Sequence, residues 1–572
     1  MAFMATDSVK LLPLISMLLA LFAQQAAAWK THYLDWEIKN ATLTRDCHTV
    51  SVATVNGMFP GPIVEINEGD TLVIKVTNKQ IYPVTMHWHG IRQFHTNYAD
   101  GPAHITQCPI QTGGSYIYEF TVDSQRGTFF YHAHIDWLRA TVHGALIVHP
   151  LKKLPSTYGK VEQEIPVIIG EWFGMPANQY EAGFLNTLEP LENATSITPT
   201  INGYPGPKYN CSKGAQVFKV EKKKTYLLRI INAALNNDYW FSVADHKLTV
   251  VGADGNYLKP FTTKYLPLLP GQTTDVLVTT NQKPGKYYFG INVGPIPIVG
   301  RPPPRIPALA MFEYEEASSS ASPVTPKFPN NVTLKPLNQY VAKLHAFGDS
   351  VITLPKKLNK DLIWTIGTAW VDCKKPEPCV QKVMGMIQNI SFDDPVGTSI
   401  LQAYASGANG VYQTNFPDEA PSLKVNLTGT DPHYRNGTRG TRVKTLNFGD
   451  NVRIVFQNVF AAGILDHPVH LHGHDFYVIG RGYGIYNSAK DPKSFNLVDP
   501  PAYNTFGVPN GGWLAIQFIA NNPGVWLLHC HFDRHKSWGM EMVFITKNGH
   551  GSAQSLAPPL HPLPKCTAGG LP

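Results

Sequence analysis

Near the C-terminus a cysteine stands between two histidines, His529-Cys530-His531, and is followed by His535 and Met540. Thiolate, imidazole and thioether are all metal donors, and five of them in so short a stretch call for a metal. On an extended segment neighbouring side chains point to opposite faces. Cys530 therefore faces one way while His529 and His531 face the other, so one strand can serve two metal sites and join them covalently. Three more His-x-His pairs occur upstream: His87-Trp88-His89, His132-Ala133-His134 and His470-Leu471-His472. Residues i and i+2 share a strand face, so each pair presents two imidazoles in one direction. A lone pair of this kind says little, but four pairs amount to a set of ligands.

The donor types select the metal. One soft thiolate, two imidazoles and a weak axial thioether make the set that holds copper in blue electron-transfer sites. Cys530, His535 and Met540 supply three of these donors. His467, three residues before the His470 pair, supplies the fourth. Zinc competes for any Cys/His cluster, but a structural zinc site wants a closed tetrahedral set, usually with more than one cysteine. Here one cysteine stands amid many histidines. The competing use of Met540 is core filling. Two carboxylates lie beside His pairs, Asp100 and Asp533, and both are placed to supply protons to chemistry at the metals. Their competing readings are an ordinary turn at Asp100-Gly101-Pro102 and a solvated acid near Arg534.

The elements that must carry these residues repeat. Thr54-Val55-Asn56-Gly57-Met58-Phe59-Pro60-Gly61-Pro62 and Thr200-Ile201-Asn202-Gly203-Tyr204-Pro205-Gly206-Pro207 are one turn used twice. Alternating strands follow at 71–78 and 225–232, and a third version spans 449–458. Each copy ends on an aromatic strand, at 127–132, 284–290 and 523–529. The first and third copies put histidines there, whereas the middle one has Gly290-Ile291-Asn292. Repetition at this scale means tandem domains rather than a solenoid. The expected division is an all-β chain of three Greek-key sandwich or barrel domains at about 29–158, 159–318 and 327–572. The middle domain is expected to be a spacer without ligands, and Ser318–Pro323 is the clearest linker.

Composition sets the address. Lys10 and the apolar run Leu11–Ala23, ending in Ala26-Ala27-Ala28, read as a secretory signal peptide over 1–28. The run is too short to span a bilayer comfortably. Seven N-x-S/T sequons start at Asn40, Asn193, Asn210, Asn331, Asn389, Asn426 and Asn436, as suits an extracellular glycoprotein. Seven cysteines minus Cys530 leave an even six for disulfides; spacing alone favours only Cys373 with Cys379. A net charge of +7 without a long basic run makes nucleic acid an unsuitable partner. With 16% charged residues, 47 Gly and 46 Pro, the chain reads as a turn-rich β protein.

The four histidine motifs resemble those of multicopper oxidases over essentially the whole mature length. His134-Ile135-Asp136-Trp137-Leu138-Arg139 and Ile231-Asn232-Ala233-Ala234-Leu235-Asn236 resemble plant laccases in particular, as does Gly90-Ile91-Arg92-Gln93 through Asp100-Gly101-Pro102. The resemblance implies three tandem cupredoxin-like domains and four coppers. Type 1 would be held by His467, Cys530 and His535, with Met540 axial, and type 2 by His87 and His470. The coupled type 3 pair would be held by His89, His132, His134, His472, His529 and His531. It further implies disulfides Cys47–Cys211 and Cys108–Cys566. The implied activity is one-electron oxidation of phenols such as monolignols at type 1, with passage through Cys530 and reduction of dioxygen to water at the three-copper cluster. A secreted, apoplastic, monomeric enzyme without a membrane anchor is expected, acting in lignin chemistry or phenol detoxification. The alternatives are an ascorbate oxidase or other multicopper oxidase on the same scaffold, and a catalytically silent cell-wall protein. Three departures stand out: Met540 where laccases of this kind often carry Leu, His474-Asp475 as in ascorbate oxidases, and Asp533 where Glu is usual.

Overall fold

The two related turns at the head of the first and middle repeats share one backbone. Asn56 and Asn202 take φ of 54° and 49°, and Gly57 and Gly203 both take 79°. Consecutive left-handed residues make the tight Asn-Gly turn whose twist matches the flanking strands. These features come from a computed structural model that describes residues 29–152, 154–186, 197–212, 214–294, 306–329, 334–373, 381–420, 437–459 and 466–566. The expected signal peptide lies outside the described residues, as do Cys379 and four of the sequon asparagines (Asn193, Asn331, Asn426 and Asn436).

The alternating segments form the strands their period requires, Thr71–Asn78, Thr225–Asn232 and Asn451–Asn458. The first repeat has two four-stranded sheets. Trp36, Leu72 and Ile74 from one and Ile66, Trp88 and Tyr131 from the other enclose a shared core. The middle repeat pairs a six-stranded with a five-stranded sheet, and the third an eight-stranded with a five-stranded one. This is the all-β, cupredoxin-like layout expected from the sequence.

The repeats pack on one another as well as within themselves. Val525, Leu527, Val543 and Ile545 of the third repeat join the first repeat's core. Two disulfides tie the first repeat outward: Cys47–Cys211 across 164 residues and Cys108–Cys566 across 458. Both are the pairings the family resemblance implies. Cys373 is also disulfide-bonded. Ser318–Pro323 lies largely exposed and outside regular structure. Among the described residues no helix is long and apolar enough to cross a membrane.

Candidate metal centre

The strand Met86–His89 pairs antiparallel with Gly127–Ala133, putting His87 opposite His132. In the third repeat His467–Leu471 pairs antiparallel with Gly524–Cys530, putting His470 opposite His529 and Val469 opposite Cys530. The same cross-strand pairing is thus built twice, and packing of the first repeat on the third turns the two constructions toward each other. His134, His472 and His531 sit just past their strand ends. All eight imidazoles are buried, and they fall into contiguous groups: His87, His89, His470; His89, His132, His531; and His134, His472, His529. Every group mixes the first repeat with the third. His89 stacks on His470 with ring centroids 3.9 Å apart, and His87 lies 4.1 Å from His472.

The second nitrogen of each ring tells what the cluster is for. Nδ1 of His87 meets the Asp100 carbonyl at 2.8 Å, that of His132 the Ala133 carbonyl at 2.8 Å, and that of His470 the Asn504 carbonyl at 2.8 Å. Nδ1 of His529 meets the Cys530 carbonyl at 2.9 Å, and that of His472 the Asp100 carboxylate at 2.9 Å. Carbonyls and carboxylates only accept, so Nδ1 carries the proton and Nε2 keeps its lone pair. In all five rings that Nε2 is buried and has no hydrogen-bond partner. An unpaired buried acceptor costs about 1–3 kcal/mol, and five of them converging is the arrangement expected where metal ions complete the site.

His89 is turned the other way. Its Nε2 meets the Thr505 hydroxyl at 3.1 Å, and its Nδ1 faces His531 Nε2 at 3.2 Å. Burial, then the mutual repulsion of crowded rings, holds His89, His134, His470, His472 and His529 well below the ordinary imidazole range. Neutral imidazole is the metal-binding form.

The thiol forms its own group on the far face of its strand. Cys530 Sγ lies 3.3 Å from His535 Nδ1 and 3.8 Å from His467 Nδ1, and the two nitrogens are 3.1 Å apart. A short helix, Asp533–Ser537, folds His535 back toward the cysteine. Met540 then closes the loop: its N–H donates to the His535 carbonyl at 2.9 Å, and its carbonyl accepts from Cys530 N–H at 3.0 Å. Met540 is fully buried. Burial pushes the Cys530 thiol up and the His467 imidazole down to about 3. A thiol that burial keeps protonated becomes a thiolate only beside a compensating cation. One thiol with two neutral imidazoles and no enclosed carboxylate suits a soft metal.

Both proposed proton donors are buried. Asp100 grips two histidines of the cluster, His87 through its carbonyl and His472 through its carboxylate, so it is no ordinary turn residue. Asp533 is not a solvated acid near Arg534: it is 8% exposed and paired with Arg139 of the first repeat, whose Nε lies 3.0 Å from its carboxylate. Burial raises its pKa, against the opposing pull of Arg139. Arg139 also donates to the His531 carbonyl at 3.0 Å and lies against that histidine's ring. Reasoning from the sequence passed over Arg139, although it ends the His134–Arg139 motif. His474 is buried with Nδ1 3.1 Å from the His472 carbonyl, and Asp475 borders a cavity of about 650 Å³ between the repeats.

Family profiles described as multicopper oxidase match residues 37–153, 163–317 and 413–550. Laccase-12 of Arabidopsis thaliana is 42% identical over 559 residues, covering 96% of this chain and 98% of that protein. Putative laccase-11 of Oryza sativa subsp. japonica is 43% identical over 545 residues, 92% of this chain and 100% of that one. Among solved structures, the laccase from Botrytis aclada superposes with a TM-score of 0.73 at 25% identity, over 92% of this chain and 89% of the other. Fet3p, a multicopper oxidase that functions in iron import, shares the fold with a TM-score of 0.70 at 22% identity, over 90% of each chain.

Proposed function

The chain belongs to the multicopper oxidase family, and from that premise we propose that it is a secreted laccase, oxidising phenols with dioxygen as acceptor. The observation that carries this reading is the convergence of four His-x-His pairs from two repeats, with five partnerless Nε2 atoms, behind a single buried thiol. In this reading His467, Cys530, His535 and Met540 would hold the type 1 copper, His87 and His470 would hold type 2, and the other six histidines would hold the type 3 pair. Bound there, copper supplies one-electron oxidation of substrate at the thiolate site and four-electron reduction of dioxygen to water at the cluster.

The protein's own residues set distance, orientation and protons. Cys530 and its neighbours His529 and His531 give one covalent path between the two sites. Asp100 fixes the tautomers of His87 and His472, and Asp533 stands at the other edge of the cluster, where Arg139 orients it. The rings of His467 and His535 are the points where substrate electrons arrive. Each ring is only 3% exposed, which keeps bulky reagents off the metal ligands. Beside His467, Asp466 borders a small cavity walled by Leu337, Tyr340, Leu344 and Phe506, an apolar lining suited to an aromatic ring.

The domain division near 29–158, 159–318 and 327–572, an extracellular address and a monomeric state belong to the same proposal. Exposed side chains at the Asn40 and Asn210 sequons support the address. A second reading, oxidation of ascorbate or metal ions, is favoured by the His474-Asp475 sequence. Steady-state oxygen uptake over monolignols, catechols, ascorbate and ferrous iron decides between them. Preference for phenols supports laccase, strong preference for ascorbate or iron supports the second reading, and absence of both turnover and blue absorption leaves a silent scaffold.

A further inference from the structure

Among the described residues the middle repeat contributes none of the grouped donor side chains, yet it reaches the cluster. Asp254 is 1% exposed, and one of its carboxylate oxygens accepts the backbone N–H groups of Asn504 at 3.1 Å and Thr505 at 3.0 Å. The other oxygen accepts Thr273 N–H at 2.9 Å, so the middle repeat holds the carboxylate in place from its own side. Gln272, also of the middle repeat, donates to the Thr505 carbonyl at 3.1 Å. Two side chains of one repeat therefore grip a two-residue segment of another.

What the grip positions is the Thr505 hydroxyl. It lies 3.1 Å from His89 Nε2, 3.0 Å from His470 Nδ1 and 3.0 Å from the Asn504 side-chain oxygen. The Asn504 oxygen only accepts, so the threonine proton is spent there and the hydroxyl's lone pairs face the histidines. His470 already gives its Nδ1 proton to the Asn504 carbonyl at 2.8 Å. The remaining role for Thr505 is to accept the proton on His89 Nε2. That leaves the His89 lone pair on Nδ1, the nitrogen that faces His531 Nε2 at 3.2 Å.

We propose that Thr505, held by Asp254 and Gln272, is a positioning residue that fixes His89 in the tautomer opposite to that of the five rings bonded through Nδ1. In this role the middle repeat is part of the metal site's frame and more than a spacer. The inference rests on the copper reading above and concerns His89 as one ligand of the type 3 pair. Partners that orient a metal-bound histidine are typically worth 10–100-fold in metal affinity.

The test compares copper-loaded full-length protein with Thr505→Val, which keeps the shape and loses the acceptor, and Thr505→Ser, which keeps the acceptor. Asp254→Asn, which keeps only one carboxyl-type oxygen, is the second probe. Copper per chain and the electron paramagnetic resonance spectrum are measured, with the type 1 signal as the control for folding. Expected are a roughly 10–100-fold weaker hold on type 3 copper and newly visible, uncoupled copper in Thr505→Val, a weaker change of the same kind in Asp254→Asn, and near-original spectra in Thr505→Ser. Full copper and an unchanged spectrum in Thr505→Val would overturn the proposal, as would equal loss in the Val and Ser variants. If the unsubstituted chain takes up no copper at the histidine cluster, the function reading itself fails, which the wild-type copper count shows separately.

Discussion

At the scale of single residues, the proposed function makes Met540 the residue that sets how strong an oxidant the protein is and Asp533 one that supplies protons. A thioether donates electron density to an oxidised metal, and a hydrocarbon does not. Met540→Leu is therefore expected to raise the type 1 potential, read by redox titration of the blue band; an unchanged potential removes Met540 from the site. Asp533 pairs with Arg139 in a buried setting, and breaking such a pair by removing one partner costs about 3–5 kcal/mol. Arg139 keeps its carbonyl acceptors at His531 and Leu235, which places Asp533→Asn near the lower end, about 3 kcal/mol in a denaturation experiment. The same variant should slow dioxygen reduction and shift its pH profile. Unaltered rate and profile at normal copper content would end the proton-relay role.

At the scale of elements, the helix Ala177–Asn186 of the middle repeat carries Glu181 into contact with both other repeats. The Trp137 N–H donates to its carboxylate at 3.0 Å and the Ser537 hydroxyl at 2.6 Å. Burial and then the nearby Asp136 push Glu181 up to about 8. An acid whose pKa is higher folded than unfolded binds more protons when folded between the two values, so its contribution to stability falls as pH rises through that window. Between about pH 4.5 and 8 the expected slope is up to about 1.4 kcal/mol per unit. Glu181→Gln should flatten that decline, as measured by melting temperatures at pH 5 and 8; identical pH dependence in the variant refutes the assignment. The strands were legible because a half-buried strand must alternate, and Thr71–Asn78 and Thr225–Asn232 begin and end where their patterns do. The helix Ile400–Ser406 also left a signal that went unread, a capping box of Ser399 with Gln402 and a left-handed Gly407. The candidate donors, which the structure does bring together, were legible because donor chemistry is carried by residue type. Arg139 on Asp533 and Thr505 on His89 were not, since these partners lie 394 and 416 residues apart and nothing local records the meeting.

At the scale of the whole molecule, the site exists only while the repeats stay docked. The Cys108–Cys566 bridge fastens the end of the third repeat to the first across 458 residues. Cross-links over long loops are typically worth about 2–4 kcal/mol. Cys566→Ser should lower the melting temperature accordingly and speed copper loss to a chelator, and unchanged values for both would show that packing alone holds the repeats together. Removing copper should weaken the first and third repeats together, because each group within the eight-histidine cluster draws on both.

That shared ownership also dictates an order of events in synthesis. A ribosome delivers His134 long before His531, and the intervening 396 residues take roughly 20–80 s at about 5–20 residues per second. During that interval the first repeat can fold its own sandwich but exposes only half of a binding site, with four imidazoles and no partners. Metal uptake at the histidine cluster is therefore a late event of maturation, performed on a finished chain, and a nascent or truncated product would carry the same motifs while lacking a complete site to load.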